Sequence, residues 1–190
     1  METFHYIQSV YVDQGKAEMW IIDAGRENFL DLNTTIITRP ARVFILDFLT
    51  NQVRLNFTFP DSVFPINSSF LNDIKVDPQG QRAYMSDTNQ AGKGAIVAFD
   101  RRTNQSRRFE DPSSTYQDPN VTIRIDNVSY PTIGGPQDGI TLSLDGEIVY
   151  YCAVRGQLLY AVNASMLFTA SFSDLQSNVR VAYNKGTPSD

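Results

Sequence analysis

Cysteine, histidine and tryptophan each occur once in this 190-residue chain. The single Cys152 excludes an intramolecular disulfide and any site built from several thiolates. Its setting in the apolar run IVYYCAV reads as a buried core thiol rather than a nucleophile. A Ser-His-Asp triad or an imidazole metal site would have to use His5, which stands in an N-terminal segment that reads as frayed. Lysine is scarce as well, with 4 against 12 arginines, and the net charge is -5. The basic residues are scattered apart from Arg101-Arg102 and Arg107-Arg108, which read as a solvated strand edge, so nucleic acid is excluded as a partner. No apolar run approaches the ~18 residues of a membrane-spanning helix, and METFHYIQSVYVD lacks the basic-then-apolar pattern of a signal peptide. Gly92-Lys93-Gly94 is a hairpin connection, because a phosphate loop needs an earlier glycine and a following Ser or Thr.

What the chain does have is repetition. Residues 72–104, NDIKVDPQGQRAYMSDTNQAGKGAIVAFDRRTN, read as three consecutive strands joined by turn chemistry. VYVDQGKAEMWIIDAG (10–25) and ITLSLDGEIVYYCAV (140–154) repeat the strand, turn, strand order. The third strand and its Asp-x-x-Thr-Asn turn recur in VFILDFLTN (43–51), with a shorter echo in LLYAVNAS (158–165). Equivalent residues lie about 64 to 66 apart, longer than the ~40 to 50 of an ordinary propeller blade, so loops are inserted between strands. The expectation is an all-β chain, a β-propeller of four-stranded blades, with blades over residues 7–60, 71–111 and 138–167. Residues 113–137 form an excursion in which 121–125 can add a strand. Apolar residues at 172, 175, 179 and 182 suit a short helix or a loop, so 168–190 reads as the start of a connection to a further blade. Three blades are fewer than a closed propeller needs, and the chain reads as a fragment with an open edge.

Seven asparagines, Asn33, Asn56, Asn67, Asn104, Asn120, Asn127 and Asn163, begin an Asn-x-Ser/Thr triplet. Chance would give about two at this Ser and Thr content, which points to a secreted, N-glycosylated protein. The competing reading is that Asn, Ser and Thr all gather in β-turns. Placing the copies in register sets Gln8, Asn72 and Asp138 at one position, two residues before the first apolar residue of each innermost strand, and Asp190 begins a fourth such unit. Inner strands line a propeller's channel, where oxygen-only ligands suit a hard cation such as Ca²⁺. Against this, Asn and Asp before a strand cap turns by bonding the backbone two residues on. The same turn reading applies to Asp23, Asp87, Asp47 and Asp100.

These segments, with MWIIDAG (19–25), PARVFILDFLTNQV (40–53), LNDIKVDPQGQRAYMSD (71–87), GAIVAFD (94–100), DGITLSLDGEIVYY (138–151) and LLYAVNASML (158–167), resemble the Yellow and major royal jelly protein family across nearly the whole chain. The resemblance implies a secreted six-bladed propeller of which this chain is about half. Insect members carry a cysteine just before the strand that begins here at Ala41. This chain has Arg39-Pro40 there and is more similar to the cysteine-poor microbial and fungal members. Three functions follow as expectations: an extracellular propeller that binds a small ligand in its channel without catalysis, a metal-dependent lactonase-like hydrolase or dopachrome-type isomerase, and a structural extracellular protein. The channel set also resembles the Asn and Asp ligands of gluconolactonase-type propellers, where a metal assists lactone hydrolysis.

Overall fold

The computed structural model describes residues 4–28, 35–89, 92–130 and 135–186. Three four-stranded antiparallel sheets follow one another along the chain. The first contains β1 (Ile7–Asp13) and β2 (Glu18–Asp23), then, after a two-rung ladder of β3 (Arg26–Glu27) and β4 (Ile36–Ile37), β5 (Arg42–Asp47) and β6 (Gln52–Thr58). The second is β7 (Leu71–Val76), β8 (Arg82–Asp87), β9 (Ala95–Asp100) and β10 (Gln105–Phe109). A short helix α1 (Pro112–Thr115) and a hairpin of β11 (Ile123–Ile125) and β12 (Val128–Tyr130) lead to the third. That sheet is β13 (Gly139–Leu142), β14 (Ile148–Cys152), β15 (Leu158–Asn163) and, after α2 (Met166–Thr169) and α3 (Phe172–Asn178), β16 (Arg180–Asn184). In each sheet the strands neighbour one another in chain order, which is the construction of a propeller blade.

Residues 168–190, read from sequence as a connection, hold the outermost strand of the third sheet. Leu158 pairs with Asn184 and Ala161 with Arg180. The period-3.6 pattern was a true signal for α3 but stopped short of Val181 and Tyr183, whose alternation is too brief to register. Ile36 and Ile37 pair back to Glu27 and Arg26.

The Asp-x-x-Thr-Asn turns work as their composition implies. Asp47 accepts from Leu49 and Thr50 N–H at 2.8 Å each, and Asp100 from Arg102 at 2.9 Å and Thr103 at 3.2 Å. Asn51 and Asn104 then take left-handed φ of 55° and 54°, a conformation asparagine tolerates better than most residues.

Consecutive sheets pack face to face, so the middle one is apolar on both faces. Ile74, Val76, Ala83, Met85, Val97 and Phe99 meet Trp20, Ile22, Val43 and Ile45 of the first sheet. Tyr84, Ile96, Ala98 and Phe109 on its other face meet Ile140, Val149, Tyr151 and Val162 of the third. Phe99 is the focus of the first contact, with ring centroids 4.5 Å from Phe57, 6.2 Å from Phe59 and 6.3 Å from Trp20. The two basic pairs are not a solvated edge. Arg101 bonds Glu18 at 2.6 Å and lies over Trp20, and Arg107 donates to the Ala170 carbonyl at 2.9 Å, so each spans a sheet boundary.

Truncating Phe99→Ala should cost about 3–5 kcal/mol, because the ring is fully buried and the blades cannot close on the void. Leu144→Ala, at a fully exposed turn position, should change stability by less than about 0.5 kcal/mol. Urea denaturation of the two variants side by side measures the difference.

Candidate functional site

The inner strands β1, β7 and β13 all begin at one end of the assembly, and the long connections gather there: residues 24–41, 59–70, 88–94 and 110–138. The opposite end carries the tight turns after β1, β5, β7, β9 and β13, together with the connection 164–179 that holds α2 and α3. Binding residues concentrate on long loops held by a rigid scaffold, which makes the first end, with four such connections, the candidate.

At that end Gln8, Asn72 and Asp138 form a hydrogen-bonded relay across the three sheets. Gln8 Nε2 donates to Asn72 Oδ1 at 2.7 Å, and Asn72 Nδ2 donates to Asp138 Oδ1. The local backbone explains how they reach one another. The β1–β2 ladder skips Gln8 between its Ile7 and Ser9 rungs, and the β7–β8 ladder skips Asn72 and Asp73 between Leu71 and Ile74. A bulge of this kind turns a side chain out of the pleat. Asp138 stands one residue before β13, its N–H held by the Cys152 carbonyl at 3.0 Å. Below this ring Ser9 Oγ bonds Asp73 Oδ1 at 3.0 Å, and Thr88 Oγ1 donates to the Gln137 carbonyl at 2.5 Å. The turn-capping alternative, a bond to the backbone two residues on, is not the bond Asn72 makes: its side chain bridges the neighbouring sheets. Asp190, the fourth position of the register, lies outside the described residues.

The polarity of the relay follows from its acid. An ionised carboxylate only accepts, so Asn72 must present its NH₂ to Asp138, which turns its carbonyl toward Gln8 and obliges Gln8 to donate. Asn72 Oδ1 therefore faces a neighbour, and a cation on the axis would have to use the lone pair that the Gln8 bond leaves over. Among the described residues no group of three or more His, Cys, Asp and Glu side chains is gathered to hold a metal.

Beneath the ring two carboxylates do structural work that the sequence reading missed. Asp23 and Asp87 end β2 and β8 as turn candidates, but both are fully buried and clasp the segment ahead of the inner strand. Asp23 accepts from the N–H groups of Tyr6 at 3.0 Å, His5 at 3.2 Å and Gly25 at 3.2 Å, and pairs with Arg42 at 2.8 Å. The backbone of His5 is thus pinned rather than frayed. Asp87 accepts from Phe70 N–H at 2.7 Å and Ser69 Oγ at 2.6 Å, and pairs with Arg108. Ala153 occupies the corresponding place in the third sheet. Burial on its own raises the Asp23 carboxyl, but the Tyr6 N–H, the Arg42 guanidinium and the His5 and Gly25 N–H groups outweigh it and hold the group below the usual carboxylate range. Arg26, buried nearby, is pushed down by desolvation against the opposing pull of Asp87.

Of the asparagines in glycosylation triplets, Asn56, Asn67, Asn104, Asn120 and Asn127 are exposed. Asn163 is half-buried, with Oδ1 accepting from Ser165 N–H at 3.0 Å. Asn33 lies outside the described residues. Left-handed backbone at Asn104 and Asn127 accounts for asparagine there, whereas Asn56 stands in the middle of β6, where a turn preference explains nothing. A cleft of about 380 Å³ opens at the tight-turn end between the second and third sheets, among Asp77, Arg82, Tyr84, Asp145 and Asn163. Tyr84 at its base is pushed up to about 12 by burial.

Radially packed four-stranded meanders with polar residues at the head of each inner strand define a β-propeller protein. The family model described as Major royal jelly protein matches residues 7–189, and the chain belongs to that family. Among solved structures it is similar to hydrazine synthase of Kuenenia stuttgartiensis, with a TM-score of 0.58, 10% identity, and coverage of 95% of this chain and 49% of that one. It is also similar to the Dos1 propeller, with a TM-score of 0.50, 10% identity, and coverage of 87% of this chain and 33% of that one. At that identity the likeness shows the propeller fold alone, and the chain spans about half or less of those structures. No curated protein matches it. No helix among the described residues is long and apolar enough to cross a membrane.

Two predictions follow from this geometry. Because the folded Asp23 carboxyl lies below its unfolded value, its contribution to stability is present above about pH 4 and disappears as pH falls below that value. Asp23→Asn should therefore be less stable than the parent at neutral pH, with the gap narrowing under acid, as read by urea midpoints between pH 7 and pH 3. For the relay, a double-mutant cycle of Gln8→Ala and Asn72→Ala should give a coupling of about 0.5–1.5 kcal/mol.

Proposed function

We propose that this chain is part of a secreted propeller that binds a small polar ligand at the loop-bearing mouth of its channel, without catalysing a reaction. The observation that carries this reading is the Gln8–Asn72–Asp138 relay, which sets donors and acceptors of three blades on one ring at the end where the connections after β2, β6, β8 and β10 lie. Side chains turned out of the strands by bulges are a costly arrangement to keep for stability alone. The Ser9–Asp73 pair below the ring spends the same carboxylate oxygen on the Ile74 N–H, which favours binding as the simpler chemistry. The exposed triplets support the secretory part of the reading.

The calcium-assisted hydrolase is the second reading, favoured by the oxygen content of the same ring. It would require the carbonyl oxygens of Gln8 and Asn72 and the Asp138 carboxylate to face one ion, Asn72 Oδ1 using the lone pair that its bond from Gln8 leaves over.

Thermal midpoints with a panel of polyols, amines and lactones should rise for at least one compound, and Asn72→Leu should abolish the rise while leaving the far-ultraviolet circular dichroism unchanged. No shift with any compound, or a shift that survives Asn72→Leu, would remove the ring as the site. Added calcium should leave the midpoint where it is; a rise that is lost in Asp138→Ala, together with lactone hydrolysis, would establish the hydrolase instead. Glycopeptide mass spectrometry after secretion from a eukaryotic host should find Asn56, Asn67, Asn104, Asn120 and Asn127 occupied, and their complete absence would defeat the secretory reading.

A further inference from the structure

The boundary between the first two sheets and the boundary between the second and third are built to one plan, and they differ at the tight-turn end. At the first, Arg101, the residue after β9, reaches back to Glu18 at 2.6 Å, donates to the Gly80 carbonyl at 3.2 Å and lies over the Trp20 ring. Strand pairing gives the counterparts at the second. Glu18 and Arg82 each open a strand opposite the aspartate that ends the next one, Asp47 and Asp100, and Trp20 and Tyr84 stand two residues on. Gly80 and Gly146 close the same turn, their N–H groups on the Asp77 and Ser143 carbonyls, and Arg101 and Ala164 follow the last residues of β9 and β15. The acid is thus replaced by a base, and the base by a methyl group. The cleft of about 380 Å³ opens at that place, with Arg82, Tyr84, Gly146 and Ala164 among its walls. Its size lies in the range of roughly 300–1,000 Å³ that small-molecule sites occupy.

Two donors meet at the base of this cleft. Arg82 gives its Nε to Asp100 at 3.3 Å, and among the described residues no other carboxylate pairs with it, so its Nη groups remain to donate. Phe168 of α2 holds both side chains in place, its ring 4.5 Å from the Arg82 guanidinium and edge-on to Tyr84 with centroids 5.9 Å apart. Tyr84 is 1% exposed yet lines the cleft, and among the described residues no acceptor takes its hydroxyl hydrogen. Arg82 cannot take it, because a guanidinium only donates. Burial pushes the phenol up to about 12 against the pull of Arg82, so that hydrogen is present at neutral pH. The carboxylates nearby are of two kinds. Asp77 accepts from the N–H groups of Gln81 at 2.7 Å and Arg82 at 3.1 Å, and Asp100 from those of Arg102 and Thr103, so both are occupied. Asp145 and Glu147 are exposed at the rim, and Asp145 takes its bonds from Ser143 Oγ and the Glu147 N–H through Oδ1 alone.

We propose that this cleft is a binding site for a free amino acid, held by its carboxylate on Arg82 and Tyr84 at the base and by its ammonium at the Asp145 and Glu147 rim. The ligand's carboxylate supplies the acid that the repeat leaves out opposite Arg82, and it takes a charge-assisted bond from each donor. A simple acid would meet the negative rim with nothing to offer it, and a simple amine would leave both donors at the base unfilled. A zwitterion matches the two ends at once, and the remaining volume accommodates its side chain. The site lies at the opposite end of the sheets from the Gln8–Asn72–Asp138 ring and does not depend on what that ring binds.

Calorimetric titration of the 190-residue chain with the standard amino acids, one at a time to about 10 mM, should give saturable heat for at least one of them. Its N-acetyl derivative, which lacks the ammonium, and its methyl ester, which lacks the carboxylate, should each bind at least about 10-fold more weakly. Tyr84→Phe, which keeps the ring packed on Phe168, and Arg82→Gln should each weaken binding by a similar factor with unchanged circular dichroism, whereas Asn72→Leu should leave it intact. Absence of saturable heat with every amino acid overturns the proposal, as does an affinity that survives both Tyr84→Phe and Arg82→Gln. Binding lost in Asn72→Leu and kept in Tyr84→Phe overturns it in favour of the ring, and a methyl ester that binds as well as its parent overturns the carboxylate anchor.

Discussion

A β-sheet with two apolar faces has no stable life alone, and everything in this molecule follows from stacking such sheets. The middle sheet carries Val97 and Phe99 on one face and Ile96 and Ala98 on the other, so β9 is apolar at five of six positions and buried at all of them. Such a strand would aggregate if either face were left to water. Covering both faces fixes the radial order of the sheets before any side chain with chemistry is considered. The outer faces of the first and third sheets lie at the two ends of this stack, where Val10, Val12 and Tyr183 are exposed while Ile21, Phe44 and Ala161 are buried.

Packing sets the order of the sheets, and buried polar groups set their register. Hydrophobic contact tolerates sliding, and a slide of one residue would turn every inward side chain to the outside. Asp23 and Asp87 oppose that by gripping backbone N–H groups at fixed positions ahead of β1 and β7, while the Glu18–Arg101 pair ties the tight-turn end of the first two sheets. A buried carboxylate is costly unless its acceptors are filled, and breaking either of these sets would strand a charge where water cannot reach it. The third sheet has Ala153 in the equivalent place and is held instead by the Asp111, Ser113 and Tyr151 contacts around α1. That substitution of one device for another is invisible in a repeat alignment.

The strand alternation and the turn residues made the sheets legible, because both are local. Asp100 to Asn104 names its own turn, and Ile74 to Val76 its own face. The outer strand β16 was not legible: its partner β15 is separated from it by two helices, and a five-residue exposed strand carries no apolar period. The arginines were misread for a similar reason. Arg108 alternates like a solvent-facing edge residue, and only the approach of Asp87, 21 positions earlier, makes it a buried partner. The register Gln8, Asn72, Asp138 could be read, since repeats report equivalence directly. What the register withheld was that two of the three sit on bulges and bond one another.

That last point bears on what the ring can do. Three oxygen-bearing side chains at one level look alike whether they await an ion or satisfy each other, and composition cannot separate the cases. Direction can. A ring ligating a cation would turn all its oxygens toward the axis and leave its N–H groups outward, whereas a relay alternates donor and acceptor around the circumference. The carboxylate at Asp138 imposes the second pattern as long as it is ionised, because Asn72 can meet it only with an N–H. A cation would draw on the lone pair that Asn72 Oδ1 keeps beyond its bond from Gln8, so the contacts that hold three blades in step need not break, and what decides is whether that lone pair and the Gln8 carbonyl point toward the axis.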